Sequence, residues 1–242
     1  MTTATTAPET LPILYRDERL VVVDKPSGLL VHRSPIDRHE TRFALQLLRD
    51  QLGQRVYTIH RLDKGTSGVL AFGLDPETAR EYSALFAQRD VTKTYVALVR
   101  GWPAAEGTVD RPLRAVEDER SGVQDFRPRE ARTEFRRIAT FELQECVDRY
   151  PTSRYALVEL TPHTGRRHQL RRHLAGASHP IIGDSTYGKG VHNRFFRDRF
   201  GVQRLLLACT RLELPPLGGR GALRIEAPLA PEFAAVLRAL TL

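Results

Sequence analysis

The chain has 242 residues, of which 41% are hydrophobic and 27% are charged. These proportions are typical of a globular protein with a full core, and no apolar run is long enough to span a bilayer. Lysine and arginine number 37 against 29 acidic residues, which gives a net charge of +8. Almost all of this basic charge is arginine, which grips phosphate and stacks on bases. Nucleic acid is therefore the first candidate partner.

Cysteine use and the N-terminus both bear on the compartment. Cys146 and Cys209 are the only cysteines, so a disulfide framework is not expected. Residues 1–8 lack the basic start and the apolar stretch of a secretory signal. We therefore expect a cytoplasmic protein whose residues 1–10 form a disordered tail.

The first elements are predicted by short apolar runs and by turn residues. Runs at residues 13–15 and 20–23 flank a charged segment and predict a β-hairpin. A Lys-Pro-Ser-Gly stretch at residues 25–28 predicts a turn. Apolar residues on one helical face predict a helix over residues 40–52, with Gly53 as its stop.

The middle of the chain begins with a clear helix start. Asp75 is a good N-cap, and Pro76 suits the first helical position. Residues 93–99 predict a strand, and residues 102–131 predict loops around one short strand.

The C-terminal part predicts further strands interrupted by a basic helix. Its elements are strands at 132–143 and 155–160, a helix at 166–175, strands at 205–214 and 223–227, and a last helix from Pro231. Strands outnumber helices, and their order is mixed. The expected fold class is α+β, with a mixed, largely antiparallel central β-sheet flanked by helices and loops.

The stretch from His60 to Gly68 reads His-Arg-Leu-Asp-Lys-Gly-Thr-Ser-Gly and lies between two apolar runs. Glycine and hydroxyl residues predict a tight turn, so Asp63 should lie at a loop tip between two strands. Such loops on a rigid scaffold often carry catalytic groups. By itself the stretch favours a turn that Asp63 merely caps, and the case for catalysis depends on the rest of the chain.

A second dense stretch runs from Thr164 to His173 and holds four arginines and two histidines. A helix there could follow a phosphate backbone, with Arg166 pointing back into a pocket. The alternative is a solvated basic helix without a specific role. Leu170 and Leu174 favour the first interpretation, since they would anchor the helix to the core.

Metal and cofactor motifs are not found in the sequence. Four histidines lie close together, at positions 163, 168, 173 and 179, but their spacing does not match a metal site and no cysteine accompanies them. No P-loop, dinucleotide fingerprint or zinc-deaminase signature occurs either. We expect no metal and no cofactor.

Basic and aromatic residues alternate between Lys189 and Arg204. This composition suits RNA, where rings and guanidinium groups stack on unpaired bases. The phenylalanines could equally dock the segment onto the core. We interpret the segment as an electrostatic contact surface.

Several of these stretches together resemble the RluA-type pseudouridine synthase family. The matching blocks lie in the family's order, and the resemblance extends from about Leu11 to Ala227. They are the stretches at residues 25–28, 60–68, 93–95, 164–171 and 179–184. The resemblance implies an isomerase with a pseudouridine synthase fold, in one catalytic domain at residues 11–242 without the S4 RNA-binding domain of many relatives.

The family reaction breaks the N-glycosidic bond of a uridine, turns the uracil and rejoins it through carbon 5. It needs no cofactor. By resemblance, Asp63 is the catalytic carboxylate, either as nucleophile at C1′ or as base at the sugar. Tyr95 stacks on the base and relays a proton, and Arg166 pairs with Asp63. The implied substrate-binding and RNA-binding residues are His60, Arg61, Thr66, Ser67, Arg167, His168, Leu170 and Arg171; Leu170 packs the pocket, and Arg61 would fill the gap that a flipped uridine leaves.

Further blocks at residues 30–34, 99–102 and 150–155 resemble the branch of the family that modifies uridine 65 of tRNA. We therefore expect a monomer that acts on tRNA, with no membrane partner. A synthase that acts on ribosomal RNA or on another tRNA site stays open, as does a non-catalytic RNA-binding module. A metal-dependent RNA hydrolase is the weakest alternative, since paired carboxylates are missing.

Overall fold

The computed structural model describes residues 10–33, 39–114 and 127–241. The predicted disordered tail, apart from residue 10, lies outside this range. The strands are β1 (Ile13–Arg16), β2 (Leu20–Lys25), β3 (Tyr57–Thr58), β4 (Ser67–Gly73), β5 (Thr92–Arg100), β6 (Glu106–Asp110), β7 (Arg132–Leu143), β8 (Ser153–Pro162), β9 (Leu207–Leu214) and β10 (Leu223–Glu226). The helices are α1 (Ala44–Leu52), α2 (Pro76–Gln88), α3 (Gln169–Gly176), α4 (Gly190–Phe200) and α5 (Pro231–Leu240).

All these strands join one sheet in the order β1-β2-β4-β9-β5-β8-β7-β6, with β10 beside β9 and β3 beside β4. The pairs are antiparallel except for β4 and β9, which run parallel. The predicted α+β class with a mixed, largely antiparallel sheet is therefore confirmed. The parallel pair joins residues far apart in sequence, because Ser67 lies opposite Ala208.

Both faces of the sheet are covered. Ala97 and Val99 of β5 belong to one hydrophobic cluster, and Leu98 between them belongs to a second. This alternation is what a strand buried on both faces requires. The first cluster includes residues of α1, α2 and α3, and the second includes residues of α4 and α5.

Helix ends follow the predicted signals where local chemistry decides them. The Asp75 carboxylate accepts hydrogen bonds from the Thr78 amide at 2.7 Å and from its hydroxyl at 2.6 Å, which caps α2. Gly53 ends α1 in the left-handed conformation, with φ of 66°. The predicted start at residue 40 is wrong, since α1 begins at Ala44.

Two basic segments differ from the expected shapes. Helix α3 begins at Gln169 rather than at Arg166, and His168 before it has a φ of 54°. Arg166, Arg167 and His168 therefore do not share a helical face with the residues after them. The segment 189–204 contains α4, in which Phe196 is buried and Phe195 and Phe200 pack against the second cluster. The phenylalanines thus dock the segment, while its contact with RNA stays a prediction.

No helix among residues 10–33, 39–114 and 127–241 is long and apolar enough to cross a membrane.

Candidate active site

Asp63 lies in the loop between β3 and β4, as predicted. Its carbonyl accepts a hydrogen bond from the Thr66 amide at 3.0 Å, which closes the turn. The carboxylate does not cap this turn, and its side chain is 22% exposed. It lines two adjacent cavities of about 460 Å³ and about 860 Å³, so it is accessible from both.

A neighbouring turn supports the catalytic loop through backbone contacts. Gly28 donates from its amide to the Lys64 carbonyl at 2.8 Å, and the Ser27 hydroxyl donates to the Gly65 carbonyl at 2.7 Å. The buried Lys25 ammonium donates to the carbonyls of Leu29 and Lys64, at 2.7 Å and 3.2 Å. The Lys-Pro-Ser-Gly stretch forms the predicted turn and, in addition, holds the loop behind Asp63 in place.

Arg171, not Arg166, contacts Asp63. An Arg171 Nη1 lies 3.4 Å from an Asp63 carboxylate oxygen, over 108 residues of sequence separation. Arg166 lines the same cavity, but its Nε donates to the Glu130 carbonyl at 2.9 Å. The prediction that Arg166 pairs with Asp63 is thus wrong, and the pairing arginine is Arg171. The reason is that α3 starts later than expected and directs Arg171 towards the loop.

Asp184 positions the Arg171 guanidinium. Arg171 donates to both oxygens of this buried carboxylate, from Nε at 2.7 Å and from Nη2 at 2.9 Å. Backbone amides of Thr186 and Tyr187 donate to Asp184 at 2.9 Å. Burial acts to raise the pKa of Asp184, but these hydrogen bonds outweigh it and keep the pKa below its ordinary value. Arg171 is thereby fixed in a planar, bidentate contact that leaves Nη1 for Asp63.

The start of α3 is fixed by a buried glutamine that no local sequence pattern predicts to be important. Gln169 donates from Nε2 to the Arg132 carbonyl and to the Thr133 hydroxyl, both at 3.0 Å. Its Oε1 accepts from the Thr164 hydroxyl at 2.7 Å. A buried polar side chain needs such partners, and these tie α3 to β7. The only sequence signal was a glutamine inside a basic stretch.

Tyr95 and Leu170 line the 460 Å³ cavity together with Asp63. Burial, followed by the charge and hydrogen bond of Cys209, raises the pKa of Tyr95 well above its ordinary value. The phenol therefore stays protonated at neutral pH. Leu170 is 6% exposed and supplies an apolar wall. The structure brings Tyr95 and Leu170 to Asp63 as predicted, and their roles stay predictions.

His60 and Arg61 occupy different positions around the loop. The His60 ring stacks on Phe86 with centroids 4.5 Å apart, and its Nε2 accepts from the Ala71 amide at 3.0 Å. Burial, with a smaller effect of the Lys93 charge, lowers the pKa of His60 to about 3. His60 lines the 460 Å³ cavity but is held by structural contacts, while exposed Arg61 lines both cavities.

The remaining predicted RNA-binding residues lie partly in the core and partly at the cavities, and buried Thr66 also lines the 460 Å³ cavity. Thr66 and Ser67 are buried, and the Ser67 hydroxyl accepts from Arg204 at 2.7 Å. Arg167 and His168 line both cavities, and His168 Nδ1 lies 3.1 Å from the Tyr187 hydroxyl. Contact of any of these with RNA stays a prediction.

Within the described ranges, no group of three side chains has the arrangement of a metal site. Each of the four clustered histidines has its own polar partner. These are Glu134 for His163, Tyr187 for His168, Thr133 and the Arg111 carbonyl for His173, and the Arg100 carbonyl for His179.

Residues 19–176 match the family model described as RNA pseudouridylate synthase. Proteins named tRNA pseudouridine synthase C are similar over most of their length: the Vibrio cholerae protein is 49% identical over 205 residues, covering 84% of each chain. The Pasteurella multocida protein is 50% identical over 206 residues, covering 84% of this chain and 85% of the relative.

Solved structures with the same fold include two human proteins. RNA Pseudouridylate Synthase Domain Containing 4 has a TM-score of 0.72 and 27% identity, and the match covers 95% of this chain and 93% of that one. RNA Pseudouridylate Synthase Domain Containing 1 has a TM-score of 0.71 and 25% identity, with coverage of 99% and 98%. The predicted pseudouridine synthase fold is confirmed, and the chain belongs to the RNA pseudouridylate synthase family, whose members are isomerases.

Proposed function

We propose that this protein converts uridine to pseudouridine in tRNA, at uridine 65, with Asp63 as the catalytic carboxylate. The observation that carries the proposal is the placement of Asp63 beside Arg171 at a cavity also lined by Tyr95 and Leu170. The substrate is supported by relatives named tRNA pseudouridine synthase C at 47–50% identity. Position 65 is supported by the resemblance of residues 30–34, 99–102 and 150–155 to that branch of the family.

Each part of the cavity suits one step of the isomerisation. The Asp63 carboxylate either attacks C1′ or removes a proton from the sugar, and in both routes the bond from C1′ to N1 breaks. Arg171 contacts the Asp63 carboxylate at 3.4 Å and orients it towards the sugar. Protonated Tyr95 and apolar Leu170 bound the space in which the freed uracil turns. Carbon 5 then bonds to C1′, as the ester bond from Asp63 to C1′ breaks in the first route or as the sugar regains its proton from Asp63 in the second. Carbon 5 loses its proton and N1 takes one up, so no atom is gained or lost.

The bound uridine must leave its stack, at a cost of a few kcal/mol. Arg61 is exposed at the cavity beside Asp63 and is placed to fill the gap in the stem. The net charge of +8 favours a polyanionic substrate.

The test uses a strain that lacks the gene and is complemented with wild-type protein or with Asp63→Asn. Pseudouridine is then mapped in total RNA. We expect the wild type to restore one tRNA site, at position 65. We expect Asp63→Asn to restore none, because the amide can neither attack nor accept a proton effectively. Its fold should persist, since the turn at Asp63 is held by backbone atoms.

Asp50→Asn is the matched control, because Asp50 is exposed on α1 and lines none of the cavities described above. It should restore position 65 fully. If the wild type restored pseudouridine at a ribosomal site instead, the substrate would be ribosomal RNA. An unchanged pseudouridine map in all strains would favour the non-catalytic RNA-binding alternative.

A further inference from the structure

Lys93 lies on the wall of the cavity that contains Asp63, and the steps above give it no role. It is two residues before Tyr95 in β5, and both side chains line the 460 Å³ cavity. Residues at this spacing face the same side of a strand, with Cα atoms about 7 Å apart. A base held against Tyr95 would therefore have the Lys93 ammonium near one of its edges.

The Lys93 ammonium has no carboxylate partner among residues 10–33, 39–114 and 127–241. It lies instead 5.6 Å from the centroid of the Phe86 ring, whose plane also stacks on His60. Lys93 also lines a neighbouring cavity of about 270 Å³, where Arg89 binds Glu130 and His163 binds Glu134. Lys93 is half-buried, and burial lowers its pKa from the ordinary value. A poorly hydrated ammonium of this kind interacts strongly with any negative charge that enters the cavity.

The cavity therefore carries a negative group, Asp63, and a separate positive group, Lys93. These two charges are not paired with each other, because Asp63 contacts Arg171. When the bond from C1′ to N1 breaks, its electron pair stays with the uracil and spreads onto O2 and O4, while the sugar loses electron density. The reaction thus develops negative charge on the base and positive charge on the sugar. This polarity matches a carboxylate at the sugar and an ammonium at the base.

We propose that Lys93 is a further catalytic residue, whose ammonium binds a uracil carbonyl oxygen and stabilises the negative charge that the base acquires as its glycosidic bond breaks. This inference rests on the proposed function and deepens it. Lys93 forms no covalent bond and gains or loses no proton. It acts as a fixed charge directed at the developing oxyanion.

The experiment uses tRNA with either uridine or 5-fluorouridine at position 65, and single-turnover loss of that nucleoside is measured in nuclease digests. Fluorine withdraws electrons, so 5-fluorouracil leaves more readily and depends less on an external positive charge. We expect Lys93→Met to slow the loss of uridine roughly 100-fold, as removal of one group at an oxyanion does. The slowing with 5-fluorouridine should be several-fold smaller, and the tRNA dissociation constant should stay within about twofold of wild type.

Lys93→Arg keeps the positive charge, so the ratio of its rates with uridine and with 5-fluorouridine should equal that of the wild type. This variant keeps the inference testable if Lys93→Met folds poorly. Arg224→Met is the charge-matched control, since Arg224 pairs with Glu226 on β10 and lines no described cavity. Equal slowing with both nucleosides, unchanged rates, or a loss confined to tRNA affinity would overturn the inference; the last result would mean a phosphate contact. A wild-type protein that converts neither tRNA would instead refute the proposed function.

Discussion

Two carboxylates share the guanidinium of Arg171, and they hold it very differently. Asp184 takes two short hydrogen bonds and is 1% exposed in its side chain, whereas Asp63 takes one contact at 3.4 Å and is 22% exposed. Asp184 therefore fixes the arginine, and Asp63 keeps free lone pairs for the substrate. Such support of a catalytic group by a buried neighbour is needed to hold its geometry within about 0.5 Å.

This arrangement predicts different effects of matched substitutions at two arginines. Arg171→Lys keeps the charge but cannot bind both Asp184 oxygens and reach Asp63, so we expect single-turnover conversion of tRNA to fall roughly 100-fold. Arg166→Lys should change the rate only a few-fold, because Arg166 donates to a backbone carbonyl rather than to Asp63. Rapid-mixing kinetics on tRNA measures both. If the rate fell further for Arg166→Lys than for Arg171→Lys, Arg166 would be the arginine that acts on Asp63.

At the scale of elements, the parallel contact between β4 and β9 determines how the catalytic loop continues into the sheet. Gly68 has a φ of 108°, which L side chains rarely adopt, and lies against Cys209. A Cβ atom built on Gly68 would come 2.0 Å from the Cys209 carbonyl oxygen. Glycine is therefore required there both by the backbone conformation and by the close approach of β9.

Gly68→Ala should lower the free energy of unfolding by about 3 kcal/mol or more, since backbone strain and overpacking add. Gly53→Ala is the control for the backbone part alone: Gly53 has a φ of 66°, but nothing lies within 4 Å of an added Cβ. Gly53→Ala should lower the free energy of unfolding by only about 1 kcal/mol. Urea unfolding measures both values. Equal losses would show that the contact with β9 does not constrain position 68.

The Lys-Pro-Ser-Gly turn after β2 is a second element whose role depends on a distant partner. Its backbone and side chains hold the carbonyls of Lys64 and Gly65. The turn itself can be predicted from its residues, because proline and glycine restrict the backbone locally. Its contact with the catalytic loop cannot be predicted from them, since the contact arises from the antiparallel pairing of β2 with β4.

Over the whole molecule, one sheet covered on both faces sets the stability on which the site depends. His60 takes part in it through its stack on Phe86 and through the hydrogen bond that its Nε2 accepts from Ala71. That bond requires a neutral imidazole. Because the folded-state pKa of about 3 lies below the ordinary 6.5, the unfolded chain binds more protons between these pH values.

The contribution of His60 to stability is therefore complete above pH 6.5 and is lost as the pH falls towards 3. We expect His60→Gln to destabilise the protein at pH 7.5, with a difference from wild type that shrinks between pH 6.5 and pH 4. Urea unfolding across this range measures the difference. His163→Gln, at an exposed imidazole, controls for the loss of a histidine. A difference independent of pH would mean that His60 does not titrate on unfolding.

The fold class, most elements and the loop that carries Asp63 can be predicted from the amino-acid sequence. These depend on local causes: alternation along strands, a cap at Asp75, and glycines at turns. The resemblance of five ordered blocks also indicated the family, which the comparisons confirm.

Which arginine contacts Asp63, and which cation lines the cavity beside Tyr95, depends on the three-dimensional packing of the chain. The stretch with Arg166 and Arg171 offers several equivalent guanidinium groups, and the start of α3 selects between them. That start depends on Gln169, whose partners lie on β7. Asp63 and Arg171 are 108 residues apart, so their contact follows from the packing of whole elements around the sheet and not from any local pattern.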